Sequence, residues 1–186
     1  MGAILILGLR FITYGPEKVH YHANFSVYVN GQKEQFQDMR YYEETEATAC
    51  TLEKVESPSE RAHMHGNINS VVHVEDHLVT WGNFFQNLGW GLGADYLKTA
   101  DKIYTPDSKI KLTFILNGKK VDDIAKVIIN SEDRLLVYYG APSTELINKL
   151  YSSVPGTAGK YNVERDPAGC SGNTQVKITD RLKHLF

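Results

Sequence analysis

Two Asn-Gly dipeptides, each at the end of a segment suited to a β-strand, constrain the fold of this sequence more than any other feature. The first, at residues 30–31, follows an alternation of apolar and polar side chains over residues 19–29. The second, at residues 117–118, follows residues 111–116. Asn and Gly tolerate the positive φ angles that two-residue hairpin turns require, so Asn-Gly between two such segments is a strong hairpin signal. The sequence therefore predicts two β-hairpins, and we expect the first return strand to reach about residue 36.

Further patterns place strands and helices around these hairpins. Residues 71–74 and 134–139 are rich in β-branched, aromatic or other apolar residues and predict strands. Thr80 is a suitable N-cap for a helix over residues 81–88. Apolar residues at helical spacing predict another helix that begins near residue 143 and ends before Pro155.

The C-terminal region differs in composition from the rest of the chain. Residues 155–175 are rich in Gly, Pro, Ser and Asn and predict a loop, and residues 178–186 predict a short closing helix. Together these elements predict an α+β fold. We expect a small mixed or antiparallel sheet, for which a β-grasp-like arrangement is one option, with one helix packed on a face and a C-terminal helix.

The chain divides into three parts on these patterns. They are an apolar N-terminal segment (residues 1–14, an anchor or assembly element), an α+β domain with histidine clusters (residues 15–140), and a C-terminal helix with a disulfide-tethered tail (residues 141–186). Arg10 interrupts the apolar segment, which is shorter than the roughly 20 residues that a membrane-spanning helix needs. Residues 2–14 therefore have three interpretations: the end of a longer membrane anchor, an element packed into the fold, or a site of self-association.

Charge and cysteine usage limit the classes of function. A net charge of −2 with scattered basic residues argues against nucleic-acid binding. The two cysteines, Cys50 and Cys170, lie in polar surroundings typical of loops. Two buried thiols are one interpretation. A disulfide between them is the one we favour, and it indicates an oxidising, extracytoplasmic compartment.

Histidines concentrated in three short clusters are the main functional signal. The residues concerned are His20 and His22, His63 and His65, and His73 and His77 with Glu75 between them. Residues i and i+2 of a strand point to the same face, so each pair presents two imidazoles side by side. Imidazole nitrogen is a common ligand of zinc and copper, and a nearby carboxylate can bind the metal or orient a histidine. The clusters therefore predict a zinc or copper site.

Other interpretations of the clusters stay open. They could be ordinary surface or cross-strand histidines stacked on Tyr21 and Tyr28. Met64 would point to the face opposite its histidine neighbours, so we do not expect it to bind copper. A metal-dependent hydrolase would need a general base such as Glu75 or Asp76. However, the sequence lacks a His-Glu-x-x-His motif, a Gly-x-Ser-x-Gly motif and a phosphate-binding glycine loop. Enzyme activity is therefore the less favoured interpretation.

The sequence from residue 20 to residue 140 resembles a group of uncharacterised, single-pass, cell-surface proteins of candidate-phylum bacteria of the Saccharibacteria type. The matching segments are His20-Tyr-His-Ala-Asn-Phe25, Tyr28-Val-Asn-Gly31, Arg61-Ala-His-Met-His65, Val71-Val-His-Val74, Val79-Thr-Trp-Gly82, Asn87-Leu-Gly89, Phe114-Ile-Leu-Asn-Gly118 and Tyr138-Tyr-Gly140. Beyond this range, the tail Asp166-Pro-Ala-Gly-Cys170 also fits the resemblance. The resemblance implies an N-terminal membrane helix, an exported domain and a Cys50–Cys170 bridge, but no particular activity. The apolar segment is shorter than the expected anchor, and His-Val-Glu-Asp-His stands where the resemblance leads us to expect His-Val-His.

Two functional hypotheses follow. The first is a non-catalytic, extracytoplasmic metal-binding module at the cell surface or membrane. The second is a self-assembling structural surface protein in which residues 2–14 associate with another subunit or with a membrane.

Overall fold

The computed structural model describes residues 2–13, 19–42 and 58–163, together with the helical positions 178 and 182. The chain forms two compact units, and helix α1 (Gly2–Thr13) belongs to the first of them. Three large apolar side chains of α1, those of Ile6, Leu9 and Ile12, are 68%, 65% and 71% exposed. Among the described residues, no helix combines the length and the apolar character that a membrane crossing requires.

The second unit, residues 19–168, contains the sheet and the histidines. Its strands are β1 (Tyr21–Val29), β2 (Gln32–Lys33), β3 (Ala62–His63), β4 (Val71–Val74), β5 (Gly91–Leu92), β6 (Leu97–Lys98), β7 (Ile103–Tyr104), β8 (Lys111–Leu116), β9 (Lys119–Val121) and β10 (Arg134–Gly140). Its helices are α2 (Pro58–Arg61), α3 (Trp81–Asn87), α4 (Thr144–Ser152) and α5 (Ala158–Val163), and short 3-10 turns lie at Met39–Tyr41 and Ile124–Lys126.

Within the described residues, seven strands form one mixed sheet and three form a small antiparallel sheet. The large sheet has the order β3-β4-β1-β10-β8-β9, with β2 also paired to β1, and the small sheet has the order β5-β6-β7. In the large sheet, the two central strands β1 and β10 run parallel, whereas the other neighbouring strands are antiparallel. The mixed α+β fold predicted from the sequence is confirmed.

Both predicted hairpin turns are present. Asn30 and Gly31 have φ angles of 51° and 82°, and Asn117 and Gly118 have φ angles of 52° and 78°. Two successive positive φ values are what a type I′ hairpin turn requires. The first return strand is shorter than predicted, because β2 ends at Lys33 and the buried Phe36 adopts a left-handed φ of 46° instead of extending the strand.

One face of the large sheet carries the main hydrophobic core. The side chain of Thr80 caps α3 through a reciprocal contact with Asn83, as its position in the sequence predicts. Phe84 and Phe85 of α3 then pack edge-to-face on Phe25 of β1, with ring centroids 5.0 and 5.8 Å apart. These contacts place the odd-numbered residues of β1 in the core and turn its even-numbered residues towards the opposite face.

The opposite face of the sheet is covered by α4 and α5. Ile147 of α4 packs with Leu136 and Tyr138 of β10 in a second, smaller hydrophobic cluster. Helix α5 contacts β1 over the polar side chains of that strand. The sequence predicts only loop here, so α5 is a correction to the prediction for residues 155–175.

Two expectations fall wholly or largely on residues that the structure does not describe. Cys50 and Cys170, and therefore their predicted bridge, lie outside the described residues. Of the predicted closing helix over residues 178–186, only Ile178 and Leu182 are described, and both positions are helical.

Candidate metal centre

The register of three neighbouring strands brings the histidine clusters together. His73 of β4 lies directly opposite His22 of β1 on one side and opposite His63 of β3 on the other. Residues two positions along a strand share its face, so His20 and His65 extend the same surface. As predicted, Met64 points to the other face, where it is buried in the hydrophobic core.

His73 is at the centre of this group of rings. Its ring centroid lies 4.7 Å from those of His20, His22 and His65. The His63 ring stacks on it with centroids 4.9 Å apart and an angle of 21° between the ring planes. We call His20, His22, His63, His65 and His73 the histidine cluster. The structure therefore brings together five of the six predicted histidines.

Two short nitrogen–nitrogen contacts converge on a single atom of His73. Its Nδ1 lies 3.0 Å from Nε2 of His22 and 2.9 Å from Nε2 of His65. His20 is also close, since the potential ligand atoms of His20, His22 and His73 all lie within 4.8 Å of one another. A metal ion bound here would take its nitrogen ligands from these histidines.

A hydrogen bond to Asn162 of α5 determines which nitrogen of His22 carries the proton. Asn162 Oδ1 accepts the backbone N–H of His22 at 2.8 Å, and this fixes the oxygen rather than the amino group on the His22 side. The amino group of the same amide donates to Ser131 Oγ at 3.0 Å. His22 Nδ1 lies 3.0 Å from Asn162 Oδ1 and must therefore be the donor. In neutral His22, Nε2 consequently presents a lone pair to His73.

Glu75 lies beside the other ring nitrogen of His73. Its Oε1 lies 3.1 Å from His73 Nε2. A carboxylate at this distance favours a proton on Nε2 and leaves the lone pair of neutral His73 on Nδ1. Glu75, predicted as a ligand or as a neighbour of one, thus acts on the nitrogen of His73 that faces away from His22.

In the His73 tautomer that Glu75 favours, two lone pairs face each other across 3.0 Å, between His22 Nε2 and His73 Nδ1. Two acceptors repel at this distance unless a cation, either a proton or a metal ion, lies between them. Tetrahedral zinc places neighbouring imidazole nitrogens about 3.3 Å apart, and a planar copper(II) set places them about 2.8 Å apart. The separations of 2.9 and 3.0 Å at His73 Nδ1 lie between these values, so these two distances are compatible with either metal.

Burial keeps His22 in the form that binds metals. His22 is 3% exposed and His73 is 1% exposed. The pKa of His22 is lowered from 6.5 to about 4, mainly by burial and to a smaller extent by the neighbouring His73. The hydrogen bond to Asn162 has a smaller, opposite effect on this pKa. His22 is therefore neutral at physiological pH, as a metal ligand must be.

The third sequence cluster separates in the structure. Its last member, His77, is exposed in the turn after β4 and is not brought to the histidine cluster. The turn is held by Arg61, whose side chain contacts Asp76 Oδ2 at 2.6 Å and the backbone oxygen of His77 at 3.2 Å. The separation of His77 from the other histidines has a structural reason, since a chain that turns after Glu75 no longer keeps the strand alternation.

The main residue that the sequence interpretation missed is Asn162. It lies in a six-residue helix within a segment rich in glycine and polar residues, where no helical periodicity can be recognised. A helix this short gives almost no pattern in sequence because its stability comes from tertiary contacts. The sequence interpretation also assigns Asn24 no role beside the histidines, although the alternation of β1 places it on the same face as His22.

Comparison with known proteins provides no independent assignment of this site. No known protein family, curated protein or solved structure matches this chain. The β-grasp-like form of the fold and the resemblance to cell-surface proteins therefore stay predictions.

Proposed function

We propose that this protein is a non-catalytic metal-binding module that holds zinc or copper through the histidine cluster. The observation that carries the proposal is the convergence of His22 Nε2 and His65 Nε2 on His73 Nδ1. Asn162 and Glu75 occupy the remaining ring nitrogens of His22 and His73 and so direct both lone pairs inwards. Paired acceptors in a buried position are costly in a protein unless they bind a cation.

The ligand set that we propose is His20, His22 and His73. His65, whose Nε2 lies 2.9 Å from His73 Nδ1, is the proposed fourth ligand. His63 stacks on His73 and restricts the orientation of its ring. Glu75 orients His73 and compensates part of the positive charge of the metal ion. His65 is partly exposed and offers the ion a route to the buried nitrogens.

Metal analysis tests the proposal directly. The full chain is purified without chelator and without a polyhistidine tag, and zinc and copper are measured by mass spectrometry. We expect about one equivalent of metal per chain, lost below roughly pH 5 as the imidazoles become protonated. Metal-free preparations that also fail to take up zinc or copper on titration would refute the proposal.

Paired variants assign the metal to the cluster. His73→Ala removes the central ligand, and we expect it to abolish stoichiometric binding. His77→Ala removes an exposed histidine from the following turn and is the matched control, with binding unchanged. Equal loss in both variants, or no loss in either, would show that the metal binds elsewhere.

We also propose that the module acts outside the cytoplasm, at the cell surface or attached to a membrane. The support is the sequence resemblance to exported proteins and the apolar character of α1. Protease treatment of intact cells that produce the full chain tests this placement. Cleavage of the histidine-containing domain on intact cells is the expected result, and protection until the cells are lysed would contradict it.

A self-assembling surface protein is the second candidate function. The specific observation in its favour is the exposure of Ile6, Leu9 and Ile12 on α1, since apolar surface of this kind is typical of association sites. Deleting residues 2–13 should convert an assembled or membrane-bound chain to a monomer in analytical ultracentrifugation. Unchanged assembly after the deletion would exclude this role for α1.

A further inference from the structure

Helix α5 owes its position to polar contacts with β1. It contains six residues, fewer than an isolated helix needs for stability in water. Its contacts with the strand involve the side chains of Asn24 and His22, and the ring of Tyr161 lies 5.8 Å from that of His22. The docking of α5 therefore depends on the polar face of β1, which also carries the proposed metal ligands.

Asn24 fixes the beginning of α5. It is fully buried, and its Oδ1 accepts the backbone N–H of Ala158 at 2.8 Å. Its Nδ2 donates to Thr157 Oγ1 and to the backbone oxygen of Ser70, both at 3.1 Å. All of these contacts are independent of the ionisation or ligation of a histidine.

Asn162 fixes the other end of α5 on His22 itself. One oxygen accepts both the backbone N–H and the ring Nδ1–H of the same residue, so it restrains the position and the rotation of the imidazole together. The alternative tautomer, with the proton on Nε2, would place two acceptors against each other at 3.0 Å. Docking of α5 on β1 therefore requires the His22 tautomer in which Nε2 is free of a proton and available to a metal ion.

We propose that Asn162 is a positioning residue that presents His22 Nε2 to the metal ion, and that metal binding in turn clamps α5 to the sheet. This inference rests on the proposed metal site. A metal ion on Nε2 withdraws electron density from the ring and strengthens the donation of Nδ1–H to Asn162. Because coupling between two equilibria is reciprocal, α5 favours metal binding by the same factor by which the metal favours docked α5.

The expected size of the coupling follows from other metal sites. Removing an outer hydrogen-bond partner of a ligating histidine typically lowers metal affinity about 10- to 100-fold. By reciprocity, saturating metal should slow hydrogen exchange of the α5 backbone amides by about 10- to 100-fold beyond any general stabilisation of the sheet.

The experiment compares three variants of the full chain with the wild type. Asn162→Ala removes the acceptor, whereas Asn162→Asp keeps an oxygen in place for both N–H groups. Asn148→Ala removes an exposed asparagine from the neighbouring helix α4 and is the matched control. Zinc affinity is measured by competition with a chelator, and hydrogen exchange of residues 158–163 is measured with and without zinc. Long-range nitrogen–proton NMR identifies the nitrogen of His22 that carries the proton.

We expect Asn162→Ala to weaken zinc binding about 10- to 100-fold, Asn162→Asp to restore most of it, and Asn148→Ala to leave it unchanged. In the zinc-bound wild type, His22 should carry its proton on Nδ1, and the α5 amides should gain protection. Should Asn162→Ala fail to fold, the wild-type exchange and NMR measurements still decide the question.

Two failures lead to different conclusions. The wild type could bind zinc without added protection of the α5 amides, or the Asn162→Ala and Asn148→Ala variants could bind zinc with equal affinity. Either result would refute the coupling between α5 and the metal and would leave the proposed metal site intact. Absence of zinc and copper binding by the wild type overturns the proposed function and the clamp together.

Discussion

Acidification of the metal-free protein should destabilise it through His22 in particular. The pKa of His22 is about 4 in the folded protein, because burial and the neighbouring His73 disfavour its charged form, and its ordinary value is 6.5. Between these two pH values the unfolded chain binds a proton at this position that the folded chain does not. The free energy of unfolding therefore falls as the pH is lowered from 6.5 to about 4, and the stability gained from keeping His22 neutral is complete above that window.

The size of the effect has an upper limit. The difference between a pKa of 6.5 and one of about 4 corresponds to roughly 3 kcal/mol when the unfolded chain is fully protonated and the folded chain is not. Water that reaches the partly exposed His20 and His65 screens the charges and reduces this value. We therefore expect a loss of about 1 to 2 kcal/mol from His22 between pH 6.5 and pH 4.5.

Urea unfolding in the presence of a chelator measures this loss. Trp81 and Trp90 are buried in the main core and report unfolding through their fluorescence. The wild type is compared with His22→Gln, which cannot titrate in this range, and with His77→Gln as the matched exposed control. The stability of His22→Gln should depend less steeply on pH between 6.5 and 4.5 than that of the wild type, whereas His77→Gln should follow the wild type. Parallel curves for the wild type and His22→Gln would refute the reasoning.

Three further predictions address the site, the core and a turn. Glu75→Gln should weaken zinc binding about 10- to 100-fold in chelator competition, because the neutral amide no longer supplies the negative charge that strengthens the contact with His73 Nε2 and compensates the charge of the metal ion; unchanged affinity would contradict the role of Glu75. Phe84→Ala should lower the free energy of unfolding by about 3 to 5 kcal/mol in urea denaturation, since the ring is fully buried against Phe25; a loss below about 1 kcal/mol would be inconsistent with this packing. Gly31→Ala should cost about 1 kcal/mol in the same assay, because its φ of 82° is strained for any residue with a Cβ atom and no atom outside the turn lies within 4 Å of the added one; no loss would argue against the type I′ turn.

Local signals in the sequence account for most of the fold. The two Asn-Gly turns, the cap at Thr80 and the strand at Val71–Val74 depend on interactions between residues close in the chain, and all are present in the structure. The alternation of β1 correctly predicts which of its residues enter the core. Each of these features is recognisable because backbone geometry alone restricts the residue types that can occupy it.

The sequence predicts which histidines belong to the candidate site, but it does not predict which of them contact one another. The spacing of His20 and His22 places both on one face of a strand, but the pairing of β1, β3 and β4 depends on contacts between distant segments, and only this pairing places His73 between His22 and His63. The contribution of α5 was still less accessible, because its docking comes from Asn24 and Asn162 rather than from an apolar pattern. Tertiary hydrogen bonds between single polar residues leave no periodic signal in a sequence.

The buried position of the histidine cluster affects both the stability of the domain and the ability of the cluster to bind a cation. A sheet face filled with apolar residues would stabilise this domain more than buried imidazoles do, because each imidazole loses its hydration. The same burial holds His22 in its neutral form at physiological pH and leaves its Nε2 lone pair directed at His73. A proton and a metal ion then compete for the space between two acceptors, and at neutral pH the proton is scarce. The buried imidazoles therefore lower the stability of the fold and at the same time favour cation binding. Such a loss of stability is expected where a buried polar group has a function.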